Sequence, residues 1–277
     1  MKIRNTYLTL LFLLFVNNFV QAQQILLIGS DSRERNVRGN ADLIMVITVK
    51  NKQVKLTSIM RDTYVYIKGY GNQKLNAAYR LGGKELLIAT INSNFKTKLV
   101  SSIVTDFNNT AQLIDSFGGV TINVDSSIVK HVNTYIKEQE NLKDVKLRPL
   151  TKYGIVKLTG DQALAYGRVR IAGTKFDDYA RVERQKIVTK AVMNYTIKNK
   201  SIAIRNMADI WPMIDTDVKL ADYIKTFSNF LNKLHLPKSQ VFPDEKYYTN
   251  ERVMGVGLVL KISNFKTASA KLNAMIN

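Results

Sequence analysis

Three short apolar runs near the start of the chain constrain its fold more than any other feature. Gln24 to Gly29 (QILLIG) ends in the polar cluster Ser30-Asp31-Ser32-Arg33. Leu43 to Val49 is preceded by Asp42 and followed by the turn residues Asn51-Lys52. Val54 to Ile59 ends in Met60-Arg61-Asp62. Apolar runs this brief, bounded by turn residues, are strands of a buried sheet rather than helices. Asp31, Asp42 and Arg61 then lie at strand ends, and open α/β sheets take their ligands just beyond the carboxyl ends of their strands. Two carboxylates at neighbouring strand ends suit a hard cation such as Mg²⁺, which takes oxygen ligands. The same acids serve equally well as caps or as ion-pair partners of nearby arginines, and residue type alone does not separate these readings.

Farther along, strand-like and helix-like segments alternate. Lys84 to Asn94, with Leu87, Ile88, Ile91 and Phe95 on one stripe, reads as an amphipathic helix after Gly82-Gly83. Leu99 to Val104 reads as a strand closed by Asp106-Phe107, Thr110 to Phe117 as a helix stopped by Gly118-Gly119, and Val120 to Val124 as another strand. Alternation of this kind predicts a layered α/β domain. Ser126 to Leu150 is polar and Lys-rich, and reads as an excursion over the surface. Leu158 to Leu164 reads as a short helix. Ile187, Val188, Ala191, Val192 and Tyr195 form the buried stripe of a helix running to about Lys198. Ile202 to Ile214 and Leu220 to Leu234 look helical, with Thr216-Asp217 as a cap, and Val256 to Leu260 looks like a last strand. No Pro- or Ser-rich linker divides the chain, so residues 23–265 are expected to form one domain, with 266–277 as a C-terminal tail.

The chemistry concentrates in Tyr166 to Gln185 (YGRVRIAGTKFDDYARVERQ). Arg168 and Arg170 stand two apart between apolar neighbours, and on a strand that spacing aims both guanidiniums at one face. A loop containing Gly173 follows. Asp177 or Asp178 is placed to cap a helix on which Arg181 and Gln185, four apart, share a face. A strand, a loop and a helix would thus converge several permanent cations, and the planar guanidinium binds phosphate bidentately. The alternative is a solvated basic surface in which Asp177, Asp178 and Glu183 are ordinary partners.

Charge agrees with an anionic partner. Lys and Arg number 41 against 22 Asp and Glu, a net charge of +19 over 277 residues. Nucleic acid, acidic lipid headgroups and cell-wall phosphates all fit that sign. There is no cysteine, so neither a disulfide framework nor a thiolate zinc site is available, and His131 and His235 are the only imidazoles. Residues 1–22 read as an export segment. Lys2 and Arg4 are followed by an apolar run from Tyr7 to Val20, with Val20-Gln21-Ala22 where a signal peptidase cuts. A helix of about 14 residues reaches about 21 Å, short of a ~30 Å hydrocarbon core. Cleavage after Ala22 is expected, with an uncleaved membrane anchor as the competing reading.

Seven stretches in a fixed order carry a resemblance to the LytR–CpsA–Psr family of bacterial envelope proteins. They are IGSDSR (28–33), Asp42, SIMRDTYV (58–65), KLNAAYRLGG (74–83), VTDFNNTAQLIDSFGGVTINV (104–124), LTGDQALAYGRVR (158–170) and DDYARVERQ (177–185). The resemblance implies an α/β fold, a layered α-β-α domain with a central mixed sheet and helices on both faces. It implies a phosphotransferase that moves a glycopolymer, such as teichoic acid or capsular polysaccharide, from undecaprenyl diphosphate to a peptidoglycan hydroxyl. By position, Asp31 and Asp42 would hold Mg²⁺. Arg33, Arg61, Arg168, Arg170, Arg181 and Gln185 would contact the diphosphate, and Asp42 or Asp178 would accept the hydroxyl proton. Catalytic roles thus fall to Asp42, Arg61, Arg168, Arg170 and Asp178. The sequence departs from the family in having Asn40 two residues before Asp42, where an Arg is frequent, with Arg38 out of register, and Met60 in place of a common Pro.

Location at the outer face of the cell membrane or in the wall follows from the export segment. Partners would be the lipid-linked glycopolymer, peptidoglycan and the membrane surface. Three other classes remain: a nucleic-acid-binding transcriptional attenuator, a hydrolase that cleaves the polyprenyl diphosphate with water, and a non-catalytic wall-binding module that needs the basic surface but not Asp31 and Asp42. A helix-turn-helix signature is missing, and so is a basic helix with interleaved aromatics, which weighs against nucleic acid as a partner.

Overall fold

The three apolar runs pair side by side as strands β1 (Gln23–Ser30), β2 (Ala41–Lys50) and β3 (Gln53–Ile59). The computed structural model describes residues 23–30, 38–50, 53–116, 118–170, 177–199, 202, 215–216 and 238–277. After β3 come β4 (Thr63–Ile67), β5 (Gly71–Lys74), α1 (Ala77–Phe95), β6 (Ser101–Asp106), α2 (Phe107–Ser116) and β7 (Val120–Val124). Then follow α3 (Val129–Lys143), β8 (Gly154–Leu158), α4 (Gly160–Arg168), α5 (Asp177–Lys198) and β9 (Asp215–Thr216). Strands β10 (Lys238–Phe242), β11 (Tyr248–Val253) and β12 (Gly257–Ile262), with α6 (Phe265–Ile276), complete the order. Among the described residues no helix is long and apolar enough to cross a membrane. The expected export segment, residues 1–22, lies outside the described residues, as do the predicted helix 220–234, the cap residue Asp217 and all of the predicted helix 202–214 but Ile202.

The chain divides into two compact units. Residues 23–106, 215–216 and 238–277 belong to a sheet unit, and residues 107–202 to a helical unit. No linker marks the boundary because β6 runs directly into α2, Asp106 into Phe107.

The sheet unit contains a six-stranded mixed sheet in the order β10-β3-β2-β1-β6-β9, antiparallel across β1, β2 and β3 and parallel between β1 and β6. Leu26 faces Val46 and Ile28 faces Ile44 across the ladder, while Ile25 faces Ile47 and Leu27 faces Met45. All eight are buried, so both faces of β1 and β2 are covered, which is why each strand carries an unbroken apolar run rather than an alternating pattern. Helices α1 and α6 pack over the core that includes Leu26, Ile44, Leu87, Ile91, Phe95 and Leu272. Phe95 meets Phe242 of β10 edge to face at 5.1 Å. A second sheet, β11-β12-β4-β5, belongs to the same unit.

The expected tail, 266–277, is helix α6. Asn264 caps its start, accepting from the amides of Lys266 (2.9 Å) and Thr267 (3.1 Å). At its end, Gln24 and Thr48 donate to the Ile276 carbonyl at 2.8 and 3.0 Å, and Gln240 donates to that of Met275 at 2.8 Å. These three side chains satisfy carbonyls that a helix end leaves without intrahelical donors. Strands β10 and β11 are likewise additions to the sequence reading, while β12 extends the expected last strand to Ile262. Helix α1 is kinked at Gly82 and Gly83, and its regular part resumes at Lys84, where the periodicity placed the helix.

In the helical unit, β7 and β8 form an antiparallel pair. Ser126 to Leu150 is not the predicted surface excursion: it holds α3, whose Val132, Ile136 and Gln139 are buried on one face. Helix α4 begins where Gly160 passes the α2 backbone so closely that a Cβ on it would lie 1.9 Å from the Ala111 carbonyl oxygen. The Gly160 amide donates to Asp115 Oδ1 at 2.7 Å. Burial pushes the Asp115 carboxyl above the usual range, with that hydrogen bond opposing the shift.

The Gly160 approach gives a test of the packing. Gly160→Ala cannot be accommodated without moving α2 from α4, and is expected to cost about 3 kcal/mol of stability. Urea unfolding checks this, and an unchanged midpoint would mean that the α2–α4 contact adjusts freely.

Candidate functional site

The sequence-predicted residues fall on both units. In the sheet unit, Asp42 sits at the start of β2, next to Ala41, whose partner across the ladder is Ser30 at the end of β1. Asp31 and Arg33 lie outside the described residues. Arg61 lies in the tight turn between β3 and β4, which closes through the Thr63 amide (3.2 Å) and hydroxyl (2.6 Å), both donating to the Met60 carbonyl. Met60 is buried, and its amide donates to the Phe242 carbonyl at 2.8 Å. A proline there has no N–H to give, so the departure from the family at this position adds a link to β10.

Arg61 and Asp42 form an ion pair through Nη1 and Oδ1. Arg61 Nε also lies 3.6 Å from Asp62 Oδ2, and Lys74 Nζ lies 2.8 Å from Asp62 Oδ1. The side chains of Arg61 and Asp42 are only 15% and 22% exposed, so solvent screens the pair incompletely. Of the two roles left open for Asp42, the structure shows the ion pair. An ionised carboxylate has about four acceptor positions, so this bond leaves its chemistry as a hard oxygen donor intact. Asp42 therefore fits Mg²⁺ in the kind of atom it offers. Among the described residues no group of three His, Cys, Asp or Glu gathers for a metal. At the departing positions before β2, Asn40 accepts from Arg80 Nε at 3.2 Å. A Cβ on Gly83 would lie 2.9 Å from Arg38 Nη1.

In the helical unit, Arg168 and Arg170 are not on a strand. Helix α4 is nucleated by a capping box, in which the Gln162 amide donates to Thr159 Oγ1 and the Thr159 amide to Gln162 Oε1, and it continues through Arg168. A two-residue alternation is too short to override that start, and a cation in the last turn suits the helix dipole. The helix ends because the fully buried Val169 turns extended (φ −53°, ψ 129°). Arg168 and Arg170 therefore flank an anchored residue.

Helix α5 begins at Asp177 and carries Arg181, which is 2% exposed, and Gln185, half-buried. The side chain of Asp178 lies outside the described residues. At Gly167, α4 comes close to Gln185: a Cβ there would lie 3.7 Å from Gln185 Cγ. Three residues that the sequence reading passed over complete the cluster. Arg184 Nη2 donates to the Val169 carbonyl at 2.5 Å, between the two arginines. Arg168 Nη2 lies 3.2 Å from Glu138 Oε2, and its guanidinium stands 5.0 Å from the centre of the Tyr135 ring. Burial pushes the Tyr166 hydroxyl pKa up, and the nearby Arg184 charge opposes that shift. Arg184 was visible in RVERQ, but its target is a carbonyl and leaves no mark in the sequence. Tyr135 and Glu138, three apart on α3, were hidden once that segment was read as a surface excursion.

The sequence model of the LytR_cpsA_psr family matches residues 15–271. Among curated relatives, the polyisoprenyl-teichoic acid–peptidoglycan teichoic acid transferase TagU of Bacillus mycoides is 31% identical over 229 residues. That alignment covers 82% of this chain and 64% of the relative, so the chain spans less than two thirds of the relative's length. Among solved structures, the crystal structure of B. subtilis TagT superposes with a TM-score of 0.68 at 22% identity, covering 95% of each chain. A LytR-CPS2A-psr family protein, YwtF (TagT), with bound octaprenyl pyrophosphate lipid has a TM-score of 0.66 at 22% identity, again covering 95% of each chain. The expected α/β architecture with a central mixed sheet is thus the fold of these proteins.

The Arg184 bond and the Glu138 pair differ in weight. Arg184→Gln removes a charge-assisted bond to a carbonyl beside a buried residue and is expected to cost about 1.5–3 kcal/mol. Glu138→Gln touches a carboxylate that is 48% exposed and is expected to cost at most about 1 kcal/mol. Parallel urea titrations of the two variants check the order, and equal costs would mean that Val169 is held by its packing alone.

Proposed function

The chain belongs to the LytR–CpsA–Psr family, and from that premise we propose that it is a phosphotransferase acting on a polyprenyl-diphosphate-linked anionic glycopolymer. The donor's glycopolymer, such as teichoic acid or capsular polysaccharide, is transferred with its first phosphate to a hydroxyl of peptidoglycan. Work at the outer face of the cell membrane or in the wall follows from both substrates. The observation that carries this reading is the cluster in the helical unit: Arg168 and Arg170 stand either side of a carbonyl clasped by Arg184, with Arg181 and Gln185 on the adjoining helix. Guanidiniums fixed through their backbone are pre-organised to take phosphate oxygens bidentately.

Phosphoryl transfer depends on positioning and charge neutralisation more than on a covalent nucleophile. In this reading the acceptor hydroxyl oxygen forms a bond to the sugar-linked phosphorus. The bridging P–O bond breaks, and polyprenyl phosphate leaves with the electron pair. The hydroxyl proton passes to a carboxylate, Asp42 or Asp178. Arg33, Arg61, Arg168, Arg170, Arg181 and Gln185 hold the diphosphate oxygens and offset the charge that builds on the leaving phosphate. Arg61 enters this role by exchanging its contact with Asp42 for a phosphate oxygen. Asp31 and Asp42 are the residues proposed to hold Mg²⁺, which when bound supplies further positive charge against the diphosphate.

The test is a transfer assay with the purified chain, a synthetic lipid-linked donor and peptidoglycan oligomers. Arg170→Ala is expected to lower the rate about 10²–10³-fold, the usual cost of losing one placed donor of this kind. Chelation of magnesium is expected to abolish transfer. Wild-type transfer by Arg170→Ala would reject the assignment of the pocket, and labelled polymer released free in solution would replace transfer by hydrolysis.

A further inference from the structure

The β11–β12 hairpin ends in Val253-Met254-Gly255-Val256-Gly257-Leu258, six residues with no charged or hydrogen-bonding side chain. The Val256 amide donates to the Val253 carbonyl at 3.1 Å, and Gly255 takes φ +77°, so the turn needs glycine at its third position. Its second position is the outer corner, where polar residues or proline are usual. Here it is Met254, 97% exposed. Leu258, the first side chain past the turn on β12, is 54% exposed. A Cβ on Gly255 or Gly257 would meet nothing within 4 Å, so the turn stands clear of the other described residues.

Single exposed apolar side chains are ordinary, but Met254 and Leu258 stand together on one uncharged tip of a chain of net charge +19. The two strands behind the tip carry a net positive charge, Arg252 and Lys261 against Glu251, and Lys266 follows on α6. Arg252 is exposed immediately before it, and Lys261 and Lys266 are exposed beyond Leu258. Glu251, the one acid on these two strands, is already paired with Lys261 at 3.0 Å. Apolar side chains in front and cations behind match the cross-section of an anionic bilayer, with acyl chains below and phosphates above. A second copy of this chain fits poorly, because it brings the same positive charge to the contact.

We propose that the β11–β12 tip docks the protein on an anionic lipid surface, with Met254 and Leu258 entering the boundary between headgroups and acyl chains. This deepens the reading of a lipid-borne donor, and it accounts for how a folded unit is kept at the surface from which that donor is drawn. The docking itself needs no donor, so donor-free vesicles test it separately from transfer.

The chain has no cysteine, so Met254→Cys in the full chain gives one labelling site for an environment-sensitive fluorophore. Val100→Cys, at an exposed position of the same unit, is the control. Phosphatidylglycerol vesicles are expected to raise and blue-shift emission at position 254 several-fold more than phosphatidylcholine vesicles, and to leave position 100 nearly unchanged. Lipids carrying a nitroxide on the acyl chain are expected to quench position 254. Substituting Met254→Ser and Leu258→Ser together is expected to weaken partition into phosphatidylglycerol vesicles about tenfold, from the apolar area withdrawn. No response at 254, or an equal response at 100, overturns the proposal. So does a response at 254 that rises with protein concentration in the absence of vesicles, which would assign the tip to a second copy.

Discussion

Guanidiniums that are to share one anion repel, and within each unit the candidate arginines depend on interactions that hold them in place regardless. Two unit charges about 4 Å apart interact by about 4 kcal/mol at the effective dielectric of a protein surface. The structure meets this with two kinds of partner. Backbone anchors fix where each arginine starts: the buried Val169 and the Arg184 bond to its carbonyl for Arg168 and Arg170, and the Met60–Asp62 turn for Arg61. Carboxylates then neutralise the heads: Glu138 for Arg168, Asp42 and Asp62 for Arg61. The anchors run to main-chain groups. The carboxylates are the partners that, in the proposed function, a phosphate oxygen would replace, since it offers the same acceptor with more charge.

That division explains why the cluster is legible in part. Strands β1 to β3 follow from apolar runs whose residues are buried on both faces, so composition alone marks them. Arg168 and Arg170 were found for their chemistry but given the wrong backbone. Three alternating residues, Arg-Val-Arg, suggest a strand, whereas the decisive signal lies upstream in Thr159 and Gln162. Helix α3 was lost because Gln139 occupies a buried position of its inner face, with its side-chain amide donating to the Tyr135 and Asp161 carbonyls. A polar residue whose amide donates to carbonyls within the fold breaks an apolar stripe without breaking the helix. Helix α6 escaped because Gln24, Thr48 and Gln240, far away in sequence, complete its end. Asp31, Arg33 and the Asp178 side chain fall outside the described residues, and their roles rest on the family's motifs.

The departures from the family pattern carry information of their own. Asn40 replaces a cation but accepts from Arg80, so the position before β2 still engages a guanidinium, now from α1. Gly83 is the bend in α1, and its positive φ together with the approach of Arg38 disfavours a side chain there. Charge at this edge of the sheet unit is therefore rearranged among Arg38, Asn40 and Arg80 rather than deleted.

Met60 shows how far the support of one functional side chain extends. The Arg61 turn is held from three distant segments. The Met60 amide donates to Phe242 of β10, the Asn76 amide at the start of α1 donates to the Arg61 carbonyl, and the Leu260 amide of β12 donates to the Asp62 carbonyl. Phe242 in turn packs on Phe95, and Phe95 stacks near Phe265 at 5.8 Å. The last forty residues thus set the backbone from which Arg61 reaches Asp42. Strand β10, strand β12 and helix α6 are coupled to the Arg61 turn by hydrogen bonds and aromatic contacts, so a loss of packing in α6 propagates to Arg61 through β10. The end of the chain belongs to the site's scaffold as much as the strands that open it.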